Sequence, residues 1–298
     1  MVELAKAIPQ KLYKYVPAAA AKNILRGSSL RLSSPILFND PFDAQIEASF
    51  PFTDDNLEEY LGRRVLGLLD KNSTPPAKLN PPFMKLFELF KNERAQEKTN
   101  NQILESYIAS VRLARTLSSS GTPQQDPLAW KSRLREFRVS AFSERNESIS
   151  MWSHYADHHR GVCLEFTTSD SSIVSRAEQV RYEDDLPKFL PVDQWGDFLL
   201  GLGEPDFMGL LRQYLLRKSL EWEYEREWRV FSPNSGPDEL FIDVKFRPDD
   251  LTGIFLGVRI PELDRLVIES LCRGKFNSAK LFLAKRNADS FRIDLTPA

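Results

Sequence analysis

The spacing of apolar residues changes several times along the chain, and the changes divide it. Leu12-Tyr13-Lys14-Tyr15 is a short β-type run stopped at Pro17. From 17 to 26, Ala21, Ile24 and Leu25 recur at helical spacing, and Gly27 supplies a C-terminal stop. Leu30-Arg31-Leu32 alternates again. Phe38-Asn39-Asp40-Pro41-Phe42-Asp43 reads as a turn between buried aromatics, because Asn and Asp side chains bond the nearby backbone and Pro41 fixes φ. Between 54 and 120 the period becomes helical. Leu57, Leu61, Val65, Leu68 and Leu69 predict a helix over 54–70, and 83–117 predicts a second tract broken near Thr99 to Asn101. Pro75, Pro76, Pro81 and Pro82 separate the two.

β patterning returns at 137–143, 161–166 and 179–182, around a short amphipathic helix over 148–158 that carries Met151, Trp152 and Tyr155. A helix is expected from 206 to about 220–222, followed by strands at 228–231, 240–246 and 253–256. A helix over 262–272 and strands around 281–283 and 291–293 complete the chain. Strands scattered among unequal helices predict an α+β fold, a mixed or antiparallel sheet with flanking helices. Residues 1–53 and 121–298 form its core domain. Residues 54–120 form a helical insertion, closed by 121–127.

Composition narrows the function without naming it. A net charge of −2 over 298 residues removes bulk attraction to nucleic acid or an anionic membrane. Two distant cysteines, Cys163 and Cys272, give no disulfide framework. The first residues lack the apolar core of a signal peptide, and no apolar run approaches membrane-spanning length. A cytoplasmic protein is expected.

The chemistry concentrates between 217 and 232. Glu221, Glu223, Glu225 and Glu227 take alternate positions, with Trp222, Tyr224 and Trp228 among them. An extended chain would put acids on one side and aromatics on the other, whereas a helix would set like charges four apart. The pattern predicts a helix ending near Trp222, a junction at Glu225-Arg226-Glu227 and a strand from Trp228. Carboxylates at the mouth of a strand, beside aromatics and cations, are what stabilisation of a cationic transition state requires. The alternative is a solvated acidic corner neutralised by Arg226, Arg229 and Lys218.

All three histidines lie at 154, 158 and 159, ahead of Cys163. On one helix His154 and His158 would share a face and form half of a metal site, without an obvious third ligand; the other reading is a helix-end cap. No glycine-rich phosphate loop and no Gly-x-Ser-x-Gly elbow occurs.

Leu12-Tyr13-Lys14-Tyr15, Phe38 to Asp43, Phe142-Ser143-Glu144, Met151-Trp152-Ser153-His154-Tyr155, His159-Arg160-Gly161-Val162 and Glu225-Arg226-Glu227-Trp228-Arg229 together resemble the bacterial domain-of-unknown-function family numbered 2971. That family implies no activity. The opening strand, the helix ending in Leu-Arg-Gly and the strand ending in Ser-Ser-Pro are also similar to the start of ADP-ribosyltransferases, particularly the DNA-modifying type. Lys14 stands where those enzymes carry Arg or His, and Ser140-Ala141-Phe142-Ser143 replaces a Ser-Thr-Ser pattern. The resemblance implies an ADP-ribosyltransferase-like core that uses NAD as substrate and an unknown acceptor, nucleic acid or protein. It implies Glu227 on the ribose and Glu225 activating the acceptor. Ser140 and Ser143 would line the nicotinamide pocket, Tyr13, Tyr15 or Trp152 would stack on the ring, and Lys14 or Arg229 would meet the pyrophosphate. The competing expectation is a non-enzymatic module that binds a ligand or partner and uses the acidic corner structurally. A hydrolase built on the histidines is the third.

Overall fold

The computed structural model describes residues 7–46, 49–72, 74–117, 127–233, 236 and 239–298. The closing segment expected at 121–127, apart from Pro127, lies outside them, as does the N-terminal stretch 1–6. The chain divides into two compact units, one of 1–46, 131–186 and 214–298, the other of 47–130 and 187–213.

The first unit is α+β. Its strands are β1 (Lys11–Val16), β2 (Ser29–Ser33), β3 (Arg138–Ser143), β4 (Val162–Thr167), β5 (Glu178–Gln179), β6 (Arg181–Glu183), β7 (Arg217–Ser219), β8 (Glu227–Ser232), β9 (Phe241–Lys245), β10 (Leu251–Leu256), β11 (Lys280–Arg286) and β12 (Ile293–Pro297). The main sheet runs β12-β11-β10-β4-β1-β3-β2-β9, with β8 paired to β3 and β5. β10 and β11 are parallel and the other named pairs of this sheet antiparallel, so it is mixed. β6 and β7 form a separate parallel pair.

Strand alternation sends Leu12 and Val16 of β1 to one face, where they join Leu164, Phe166, Ile254 and Leu256. Helices α1 (Ala18–Gly27) and α9 (Glu262–Lys275) close that face with Ala21, Leu25, Ile268 and Cys272. Tyr15 points the other way, into a cluster with Cys163, Phe255 and Met151 and Trp152 of α6 (Ile149–Tyr155). Both cysteines are buried free thiols.

The second unit contains α2 (Asp54–Lys71), α3 (Pro81–Ala95), α4 (Asn100–Leu117) and α7 (Val192–Leu200). Leu61, Val65, Phe87, Phe90, Ile103 and Leu200 share its core. The insertion expected at 54–120 therefore excludes a segment that this core contains: α7 sits beyond 120 but buries its apolar side here. Two helices bridge the boundaries of the units in sequence, α5 (Pro127–Arg135) and α8 (Phe207–Leu215).

Three local expectations are corrected. Gly27 stays helical, and the left-handed stop falls on Ser28 (φ 43°, ψ 50°), whose N–H reaches the Ile24 carbonyl. α6 ends at Tyr155, three residues early, because Asp157, His158 and His159 are all left-handed. Gly161 then passes so close to Val16 that a Cβ would lie 2.2 Å from its carbonyl oxygen. Phe42 is 65% exposed, so the turn at 38–43 is not flanked by two buried aromatics.

Ser28 carries two costs, a left-handed backbone and a buried hydroxyl without a hydrogen-bond partner. Ser28→Gly removes both and is expected to stabilise the protein by about 1 kcal/mol. A rise in the urea midpoint at unchanged slope checks this; a fall would show that the hydroxyl is satisfied.

Candidate functional site

One register row organises the site. Tyr13 of β1 lies opposite Ser143 of β3, and Ser143 lies opposite Glu227 at the start of β8. Opposed residues of antiparallel strands project to the same face, so the three form a line across the sheet. The helix expected to reach 222 stops at Leu215, because β7 pairs with β6 and a 3-10 turn takes Leu220–Glu225. Ser219 caps that turn and Arg226 ends it in a left-handed conformation. The four acids are thereby split. Glu221 and Glu223 face solvent, while Glu225 and Glu227 are buried. Arg226 is exposed and neutralises neither.

Arg229, two residues into the strand and so on the same side as Glu227, is fully buried. All five of its N–H groups are engaged. Nε donates to Glu227 Oε1 at 2.7 Å and Nη2 to Glu227 Oε2 at 3.1 Å. Nη1 and Nη2 also donate to Asp43 Oδ1 and Oδ2 at 2.8 and 2.6 Å, and Nη1 to the Leu215 carbonyl at 2.7 Å. Asp43 arrives from a turn that Asp40 builds, its carboxylate accepting from the Phe42 amide and its carbonyl from the Asp43 amide. Buried Lys218 completes the cluster. Its Nζ donates to Glu225 Oε2 at 2.6 Å and Glu227 Oε2 at 3.2 Å, and lies 3.6 Å from Asp43 Oδ2. Tyr155 of α6 donates to Glu225 Oε1 at 2.5 Å.

The two glutamates titrate apart. Burial raises Glu225 to about 7; Lys218 opposes the rise and Glu227 adds to it. Burial also acts to raise Glu227, but Arg229 and Lys218 outweigh it and hold that carboxyl near 2. Burial pulls Lys218 down, and Glu227, Asp43 and Glu225 together leave it above its ordinary value. Near neutral pH Glu225 therefore holds a proton more readily than Glu227.

The cluster lines one wall of a cavity of about 170 Å³ that Tyr13, Lys14, Tyr15, Phe38 and Tyr155 also line. Lys14 leaves β1 on the face opposite Tyr13. Its ammonium reaches Ser140 Oγ (2.8 Å) and the Ala141 carbonyl (3.0 Å), beside the single register pair of β1 with β3. Burial lowers it to about 8, with Glu227 opposing. Ser143 lines the cavity and donates to the Glu225 carbonyl at 2.6 Å, which fixes the end of the 3-10 turn.

The expected site residues separate on this geometry. Tyr13, Lys14, Tyr15, Ser143, Glu225, Glu227 and Arg229 come together around the cavity, and Ser140 anchors Lys14 from behind. Trp152 cannot stack on a ligand. It is fully buried, edge-on to Tyr15 and stacked with His159, and its indole N–H donates to the Asn146 carbonyl. Arg229 has no N–H left for a pyrophosphate. His154 and His158 do not share a helix face, since α6 ends between them, and among the described residues no group of three or more His, Cys, Asp or Glu side chains is placed to hold a metal ion. No helix of the described residues is long and apolar enough to cross a membrane. Asp43 and Tyr155 were not expected as site residues, and Lys218 was expected only as a cation neutralising the acidic corner. Asp43 stood inside the turn motif, but nothing local tied it to an arginine 186 positions away.

The family described as "Protein of unknown function (DUF2971)" matches this chain over residues 151–230. That stretch holds Tyr155, Lys218, Glu225, Glu227 and Arg229, and omits β1, β3 and Asp43. No curated protein and no solved structure matches the chain.

Two consequences can be measured. Arg229→Leu leaves Asp43 and Glu227 buried and less than fully paired, and is expected to cost about 3–5 kcal/mol in denaturant unfolding. The pH dependence of stability follows from the split pair. Glu227, depressed in the folded state, contributes stability above pH ~4.5 that is lost as pH falls toward 2. Glu225, raised in the folded state, makes stability decline as pH climbs from ~4.5 to about 7, because only the unfolded chain releases its proton there. Glu225→Gln should flatten the second slope and keep the first. Persistence of the decline in that variant assigns it to another group.

Proposed function

We propose that the chain is an NAD-dependent ADP-ribosyltransferase-like enzyme that transfers ADP-ribose to a macromolecular acceptor. The observation that carries the reading is a pair of adjoining carboxyls with opposite titration, Glu225 near 7 and Glu227 near 2, in the wall of an aromatic cavity. Such a split is how one site obtains an acid-base group and a permanent anion together. A cavity of about 170 Å³ is of the size that takes a single six-membered ring, so it suits the nicotinamide ring and leaves the rest of the molecule outside. Tyr13, Tyr15 and Phe38 offer ring contacts, and Lys14 is the cation with donor capacity to spare for a phosphate oxygen.

Under this reading Glu225 is the working carboxylate. Cleavage of the C–N bond leaves its electron pair on nicotinamide and builds positive charge on the ribose, as in glycoside cleavage. When Glu225 is ionised the cluster of Asp43, Glu225, Glu227, Lys218 and Arg229 carries one net negative charge, which stabilises that positive build-up. The acceptor hydroxyl or amine then bonds to the ribose carbon and gives its proton to Glu225. Glu227 positions Lys218 and Arg229 and keeps them charged.

The second reading, a binding module without catalysis, draws on the saturation of Glu227 and Arg229: both oxygens of the one and every N–H of the other are already bonded. Nicotinamide release from NAD separates the two. The transferase reading expects turnover whose kcat/KM rises through about pH 7 and falls above about 8, as Glu225 ionises and Lys14 loses its charge. Glu225→Gln should lower kcat by about a hundredfold or more while melting stays near wild type. A wild-type protein that neither releases nicotinamide nor binds NAD in calorimetry rules out the transferase.

A further inference from the structure

A second concavity, of about 1180 Å³, lies between the segment after β10 and the hairpin joining β11 to β12. Its walls carry Arg259, Arg286 and Arg292, with Asp289 as the acid among its lining residues, and Ile149 and Val258 as apolar floor. Arg259 and Arg286 are exposed and, among the described residues, no side-chain partner engages either guanidinium. Arg292 donates through Nε to Ser290 Oγ at 2.9 Å, and among the described residues no side chain engages its Nη groups. Beside it Phe291 is 98% exposed, the extreme among the large apolar side chains described.

The hairpin that presents these groups is built, not loose. The Asn287 amide nitrogen donates to both oxygens of Asp294, and its carbonyl oxygen accepts from Ser290 Oγ and the Asp289 amide. Its backbone N–H closes the turn on the Arg292 carbonyl. A bare phenyl ring held on such a turn is poorly solvated, and three guanidiniums line the same concavity with one acid. Guanidinium forks match phosphate oxygens, and an exposed ring stacks on a planar base. In a chain of net charge −2 this is a local positive field.

We propose that this groove is a binding site for a nucleoside phosphate, the base stacked on Phe291 and the phosphate held by Arg259, Arg286 and Arg292. The ligand can be a free nucleotide or the end of a single-stranded nucleic acid, which share this chemistry. The site is separate from the Glu225–Glu227 cavity and does not depend on its assignment. α6 lies between the two, with Ile149 in the groove wall and Met151 and Tyr155 in the cavity wall.

The full chain is titrated at ~50 mM salt with ADP by calorimetry and with a short fluorescein-labelled oligothymidylate by anisotropy. Binding of either probe is expected to fall about tenfold in Phe291→Ala and by more in the double variant Arg286→Glu/Arg292→Glu, and to survive Glu225→Gln. All altered groove residues are exposed, so circular dichroism should be unchanged. ADP-only binding identifies a free nucleotide, and oligonucleotide-only binding a nucleic-acid end. Absence of binding to both probes overturns the proposal, as does binding that Glu225→Gln abolishes and the groove variants leave intact.

Discussion

A guanidinium that reaches no water must have every N–H satisfied, and in this protein Arg229 meets that demand with two carboxylates and one helix-end carbonyl. Much of the first unit follows from it. The turn at Asp40 delivers Asp43, the register of β3 with β8 sets Glu227 opposite Ser143, and the last turn of α8 turns its Leu215 carbonyl inward, where a cation also suits the helix dipole. The turn at Asp43, 186 positions away, and the end of α8 are thereby fixed to one side chain of β8. A lysine in place of Arg229 would supply three donors on a point charge and could not serve both carboxylates bidentately.

The same network explains why Glu225 differs from Glu227. Arg229 serves Glu227 and Asp43 but not Glu225, which is left with Lys218 and the Tyr155 hydroxyl. Burial is similar for both glutamates, so the difference in charged partners decides which one holds a proton near neutral pH. Catalytic and structural readings of the cluster thus share one electrostatic origin. They differ in whether the proton on Glu225 is exchanged with something in the cavity.

The two concavities of the first unit are built by opposite means. Around Glu225 the charges are buried, paired and nearly balanced, and the space is lined by rings and one carboxyl raised toward neutral pH. In the concavity beside the β11–β12 hairpin the charges are exposed and mostly basic, three guanidiniums against the one acid Asp289. The first arrangement favours discrimination and chemistry; the second favours capture of an anion from solvent.

The alternation and the periodicity were local properties, and so the strands at 12–15, 137–143, 161–166 and 228–231, the helices in 54–117 and the α+β class were legible in the sequence. The clustering of Glu225 and Glu227 near a strand mouth was legible for the same reason, since the junction lies within one short stretch. Trp152 was misread because a tryptophan on an amphipathic helix looks alike whether its ring faces a ligand or the core; packing against Tyr15 and His159 decided it. The helix expected through Leu220 lost to the pairing of β7 with β6, a contact between residues more than thirty positions apart that no local propensity encodes. Arg229 looked available for a phosphate because Asp43 was invisible to it in sequence. Residue types set which charges the chain had to bury; only the tertiary fold chose which acid met which base, since partnership depends on distance across strands and not along them.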